Sequence, residues 1–140
     1  YLTWVRTIRP FSKALSLAKV LVIDDDPNIG QVITRLLSGQ SHGVILSYSG
    51  DDALELLKSE EFDVMIVDIF LPGTSGLEVI QAVSANYPDT KIVAMTAFGA
   101  QDDIDLKGFA ERYGAITTLE KPFDNEILLK SVSKALGAAS

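Results

Sequence analysis

The stretch Phe62-Asp63-Val64-Met65-Ile66-Val67-Asp68 sets four consecutive apolar residues between two aspartates. Neither end continues a helical stripe, so Val64 to Val67 reads as a strand buried on both faces. Strands of that kind build open parallel sheets, in which chemistry collects where the carboxyl ends of the strands emerge. Asp68 falls at that edge. Desolvating a charge beside an apolar strand is costly, so two readings of Asp68 stand side by side: a solvated loop aspartate, or a group held there for a function. The rest of the chain separates them.

Toward the N-terminus, Val20-Leu21-Val22-Ile23 predicts a first buried strand that ends in Asp24-Asp25-Asp26. Pro27 suits the first position of a helix capped by Asp26, with Ile29, Ile33, Leu36 and Leu37 as its apolar stripe and Gly39 as its stop. Val44 to Tyr48 predicts a second strand, and Gly50-Asp51-Asp52 opens a helix with Leu54 and Leu57 inward. Beyond Asp68, the Leu71-Pro72-Gly73 turn leads to Ser75 and Glu78 at capping-box spacing, ahead of Val79, Ile80 and Val83. Pro88 ends that region. Lys91 to Met95 predicts a fourth strand, and a longer loop then leads to a helix near Asp103 to Tyr113. That helix sets Leu106, Phe109, Ala110 and Tyr113 on one face, and Gly114 closes it. Ala115 to Leu119 predicts a fifth strand, and Asp124 caps a last helix with Leu128, Val132, Ala135 and Leu136 inward, ended by Gly137.

Five strands alternating with five helices, on connections too short for a second domain, predict one α/β domain over residues 19–137. Its core is a doubly wound parallel sheet with helices on both faces. Periodicity leaves the strand order open. Residues 138–140 read as a tail, and residues 1–18 read as a basic extension, linker or engineered addition that, with Trp4 and Phe11, could also touch a partner or membrane surface.

Composition narrows the chemistry. Of the 140 residues 47% are hydrophobic, which suits a single soluble domain with a real core. No run approaches the ~20 apolar residues of a membrane span and no signal-peptide pattern stands at the start, so the expected compartment is the cytoplasm. The absence of cysteine excludes disulfides, thiolate metal sites and cysteine nucleophiles. The single histidine, His42, sits in Ser41-His42-Gly43 and reads as a surface loop residue. The net charge of −7 is uneven: residues 1–18 hold Arg6, Arg9 and Lys13 with no acid, whereas residues 19–140 hold nine basic and nineteen acidic side chains, a net of −10. A domain of that charge repels nucleic acid phosphates.

Asp24, Asp25, Asp68 and Thr96 all follow the ends of predicted strands, and Lys121 follows the fifth. They therefore project at one edge of the sheet. Three carboxylates there repel one another by ~3 kcal/mol per pair at ~5 Å and an effective dielectric of ~20, so they require a cation. A hard divalent ion with oxygen ligands fits, Mg2+ in particular, since it takes one or two carboxylates, waters and a phosphate oxygen. Lys121 and the Thr96 hydroxyl add a fixed positive charge and a donor for an anion. The set is a phosphoryl-transfer constellation. Its nucleophile is Asp68, because the chain has no cysteine, its single histidine, His42, reads as a surface loop residue, and a carboxylate can accept phosphate as an acyl-phosphate. The competing view makes each acid a helix cap and Lys121 its ion-pair partner, which serves any one residue but not all five at one edge.

These residues carry a family resemblance. Val20-Leu21-Val22-Ile23-Asp24-Asp25-Asp26-Pro27, Val67-Asp68-Ile69-Phe70-Leu71-Pro72-Gly73, Met95-Thr96-Ala97 and Glu120-Lys121-Pro122-Phe123 resemble, in order, the four signatures of response-regulator receiver domains of two-component signalling. The resemblance runs from residue 19 to about 137. It implies a flavodoxin-like sheet of order 2-1-3-4-5, and phosphate taken from the phosphohistidine of a sensor histidine kinase or phosphotransfer protein. It further implies Asp68 as phosphoacceptor, and Asp24, Asp25, Asp68 and the Phe70 backbone carbonyl as ligands of Mg2+. Thr96 and Lys121 would contact the phosphoryl group, and the Lys121–Pro122 bond would be cis.

Two departures from the family pattern matter. Thr118 stands where the family usually carries Tyr or Phe, three residues before the lysine. The stretch from Thr96 to Gly114 is about three residues longer than usual, assigned to Phe98 to Asp102, so that loop and the following helix are expected to carry the signal. Other classes fit less well. A haloacid-dehalogenase-type phosphatase would use Asp24-x-Asp26, but Asn28 stands where that family has Thr or Val. A flavin-binding module would need a phosphate-cradling loop where this chain has three acids. An unphosphorylated interaction module on the same fold would have no need of all five site residues.

Overall fold

A computed structural model describes residues 17–97 and 105–138. The chain runs β1 (Lys19–Ile23), α1 (Pro27–Gly39), β2 (Gly43–Ser47), α2 (Gly50–Leu57), β3 (Val64–Asp68), α3 (Gly76–Asn86), β4 (Lys91–Ala97), α4 (Leu106–Tyr113), β5 (Ala115–Lys121) and α5 (Asn125–Leu136). All strand pairs are parallel and the sheet order is β2-β1-β3-β4-β5, as the resemblance implies.

Alternation along each strand sends side chains to two separate cores. Leu21, Ile23, Met65, Val67, Ile92 and Ala94 pack under α2, α3 and α4, against Ala53, Leu57, Val79, Ile80, Val83 and Ala110. Val20, Val22, Val64, Ile66, Val93 and Met95 pack under α1 and α5, against Ile33, Leu37, Leu128, Val132 and Ala135. β3 is buried along its whole length, Asp68 included. Asp68 is therefore not a solvated loop residue: it is the last residue of the strand and only 6% exposed.

Capping follows the sequence closely. Asp26, Ser75 and Asp124 accept from the backbone N–H of Asn28, Glu78 and Ile127 at the starts of α1, α3 and α5. Ser49 caps α2 and Asp105 caps α4 in the same way. Gly114 closes α4 at φ 131°, a conformation that excludes a Cβ.

Several side chains depart from expectation. Phe109 and Tyr113 are 37% and 36% exposed and stack on one another at 6.4 Å, while Leu106 and Ala110 alone carry the buried face of α4. A helix of eight residues has room for only one narrow apolar stripe. Leu136, the last residue of α5, is likewise exposed. Lys121 ends β5 rather than following it. His42 is half-buried, its Nδ1 lacks a hydrogen-bond partner among the described residues, and burial lowers its pKa below the ordinary 6.5. The expected loop from Phe98 to Asp102, and the first residues of the helix predicted from Asp103, lie outside the described residues.

Gly76 is a constraint that the sequence pattern did not single out. A Cβ there would collide with the Asp68 carbonyl oxygen and come within 2.6 Å of the Ile69 Cα, both rigid backbone. The start of α3 is therefore seated directly on the end of β3. Gly76→Ala is expected to lower stability by about 2 kcal/mol through overpacking, a fall of roughly 8 °C in Tm for a domain of this size. A thermal melt unchanged by the substitution would show that α3 can move off the strand.

Candidate functional site

Asp24 follows the end of β1 and is held there twice. Its backbone N–H donates to the Ser47 carbonyl at 3.1 Å, and its Oδ1 accepts from the Asp26 N–H at 2.9 Å. Asp68 is fixed in a similar way at the end of β3: its Oδ1 accepts from the Phe70 N–H at 2.8 Å, while the next N–H, of Ile69, donates to the Met95 carbonyl of β4. β5 runs alongside β4 and ends at Lys121, whose Nζ reaches Asp24 Oδ2 at 2.7 Å and Asp68 Oδ2 at 2.8 Å. One ammonium group thus ties together the ends of three strands. The Lys121–Pro122 bond beside it is cis.

Burial makes this cluster electrostatically unusual. The side chains of Asp24 and Asp68 are 1% and 9% exposed and that of Lys121 is 19% exposed. Burial raises the Asp24 pKa above its ordinary 3.8, against the lowering effects of the Lys121 ammonium and the Asp26 N–H. Burial also opposes the charge on Lys121, but its hydrogen bonds to both carboxylates prevail and its pKa lies above the ordinary 10.5. The two partners shift in the sense expected of an unequal match. Lys121 gains from two carboxylates, whereas each carboxylate shares a single cation.

Asp25 completes the group from the exposed side. One carboxylate oxygen from each of Asp24, Asp25 and Asp68 lies within 4.8 Å of the others. Three carboxylates against one ammonium leave a net charge of −2, and all the free ligand atoms are hard oxygens. The donor set fits a divalent cation of the Mg2+ class. The Phe70 carbonyl belongs to the residue whose N–H already binds Asp68, and the Phe70 ring is 49% exposed.

Thr96, one residue beyond the Met95 that pairs with Asp68, is fully buried near the end of β4. All five residues singled out in the sequence therefore sit at the carboxyl edge of the sheet, with Asp24, Asp25, Asp68 and Lys121 in one cluster. Asp51 stays apart from that cluster: it lies at the start of α2 and accepts a 2.6 Å hydrogen bond from the Thr74 hydroxyl. Asp26 uses its carboxylate to cap α1, so Asp24-x-Asp26 does not form the paired acids a phosphatase of that pattern would need. Sequence reasoning missed the supporting groups, Ser47 and Gly76, because they act through backbone contacts that no charge or periodicity reveals.

The family model described as response regulator receiver domain matches residues 20–133. The chain belongs to the response regulator receiver domain family. This receiver domain is 29% identical over 120 residues to protein PilH of Pseudomonas aeruginosa, an alignment covering 86% of this chain and 98% of PilH. It is 34% identical over 121 residues to the response regulator protein FleR of the same organism, covering 86% of this chain but only 25% of FleR. Among solved structures, a response regulator receiver domain protein from Clostridium thermocellum superposes with a TM-score of 0.77 at 29% identity, covering 85% of this chain and 94% of that one. The chain is thus a receiver module of the two-component response regulators. Among its described residues no helix is long and apolar enough to cross a membrane.

Proposed function

We propose that this receiver domain accepts a phosphoryl group on Asp68 from the phosphohistidine of a sensor histidine kinase or phosphotransfer protein, with Mg2+ as cofactor. The observation that carries the reading is the clamp of Lys121 on Asp24 and Asp68 beside Asp25 at the sheet edge. Asp24, Asp25, Asp68 and the Phe70 carbonyl would hold the ion, which would neutralise charge on the phosphoryl oxygens. Asp68 Oδ attacks phosphorus, the P–O bond forms as the P–N bond breaks, and the leaving imidazole takes up a proton. Lys121 stays with the transferred negative charge, and the Thr96 hydroxyl donates to a phosphoryl oxygen.

The charge of residues 19–140, nine basic against nineteen acidic side chains, favours a protein donor over any direct contact with nucleic acid. The same family setting supports a cytoplasmic site of action. Incubating the chain with a phosphohistidine-bearing donor and Mg2+ should add one phosphoryl group to its mass, and EDTA should prevent it. Unchanged mass with a donor that phosphorylates another receiver would reject the reading.

Two further results are expected at this site. Asp25→Ala should weaken Mg2+ binding by about tenfold or more, because it removes a unit charge from the cluster, whereas Asp51→Ala should leave it unchanged. Equal losses in calorimetric titrations would undo the assignment of ligands. Phe70, half exposed and two residues past Asp68, presents an apolar ring that gives an incoming water nothing to bind. Phe70→Asn should speed loss of phosphate from Asp68 about tenfold, the ~1.4 kcal/mol of one well-placed hydrogen bond. A decay rate equal to wild type would remove Phe70 from consideration.

A further inference from the structure

Thr118 carries a buried hydroxyl, Oγ1, with no hydrogen-bond partner among the described residues. Its orientation comes from an irregularity in the sheet. Ile92 of β4 pairs with Ala115 of β5, but Val93 pairs with Thr117, so Ile116 is an extra residue that reverses the faces of the rest of β5. Thr118 is thereby turned to the face of Ala94, which packs under α2, α3 and α4. Thr96, two residues beyond Ala94, projects from that same face and is fully buried. The two threonines therefore lie one step apart on adjacent strands, on one side of the sheet.

We infer that Thr118 is a positioning residue for Thr96. Its hydroxyl lacks a partner in the arrangement described here and gains one when Thr96 turns toward a phosphoryl group on Asp68. A hydroxyl both donates and accepts: with its proton on a phosphoryl oxygen, Thr96 still accepts from the Thr118 O–H, directly or through one water. The result is a relay in which Thr118 donates to Thr96 and Thr96 donates to the phosphoryl oxygen. A buried polar group unpaired in one arrangement and paired in the other draws the population toward the second. The inference rests on the proposed phosphorylation of Asp68 and adds to it a side chain that tunes the response.

The test uses the full chain with Mg2+ and beryllofluoride, a mimic of the phosphoryl group, followed by fluorine NMR. Thr118→Val keeps the shape and removes the hydroxyl. It should bind beryllofluoride about fivefold more weakly than wild type, while its ligand-free Tm is unchanged or higher because the unpaired group is gone. Thr118→Ser should restore the affinity. Equal affinity of wild type and Thr118→Val, a loss that serine does not restore, or a lower ligand-free Tm for the valine variant would each overturn the role of Thr118. If wild type itself shows no Mg2+-dependent binding, or Asp68→Asn binds as well as wild type, the proposed phosphorylation falls and takes this inference with it.

Discussion

Asp68→Asn is expected to take up no phosphoryl group from acetyl phosphate and Mg2+ under conditions in which the wild-type chain gains one. The substitution keeps the size of the side chain and leaves an oxygen to accept from the Phe70 N–H, so the turn after β3 should persist. What disappears is the attacking charge. An amide oxygen is a far poorer nucleophile than a carboxylate, and a fall of about a thousandfold, some 4 kcal/mol in the barrier, lies below detection in an hour-scale labelling experiment. Folding should not suffer, because Asp24 keeps its hydrogen bond to Lys121 and loses a buried like charge beside it. Intact-protein mass spectrometry of both proteins gives the answer. Equal labelling of the asparagine variant would move the acceptor to another carboxylate, with Asp24 and Asp25 the next to substitute.

The sequence was most legible where one physical rule acted alone. The runs Val20 to Ile23 and Val64 to Val67 are apolar on both faces and read directly as strands covered on both sides, and the acids after them follow to the sheet edge. Asp26, Ser75 and Asp124 announced helix starts because capping is local. Legibility failed where distant segments decide the outcome. Phe109 and Tyr113 match the period of a buried stripe, but in the short α4 only Leu106 and Ala110 are covered. Nothing in Ala115-Ile116-Thr117-Thr118 signals the extra residue opposite β4 that sets which way Thr118 faces. Gly76 looks like any glycine in a turn until the Asp68 backbone is seen against it. The strand order came from resemblance alone, since each strand carries the same apolar pattern whichever neighbours it takes.

Lys121→Met is expected to destabilise the metal-free protein by about 3 kcal/mol at pH 7, with a fall of roughly 12 °C in Tm. Methionine replaces the stem of the lysine but not its charge, so Asp24 and Asp68, almost fully buried, are left facing one another. The effect carries a sign in pH that separates charge from packing. Burial already holds the Asp24 pKa above its ordinary 3.8, and the Lys121 hydrogen bond and charge are what oppose that rise. Without Lys121 the folded-state pKa climbs further. A carboxyl whose pKa is higher folded than unfolded is favoured protonated in the fold, so stability is fully present below the unfolded value and is lost as pH rises through the folded one. The deficit of the methionine variant should therefore be largest at neutral pH and should shrink as the solution is acidified toward the ordinary carboxylate range. The lysine itself stays charged across this window, because its own pKa is raised above 10.5. Millimolar Mg2+ should recover much of the loss at pH 7, since a divalent ion would supply to the same carboxylates the charge that the substitution removed. Melts at pH 5 and pH 7, each with and without Mg2+, make the comparison. A deficit of the same size in all four would mean that Lys121 supports the fold through its apolar stem, and that the cluster at the sheet edge has no need of a cation.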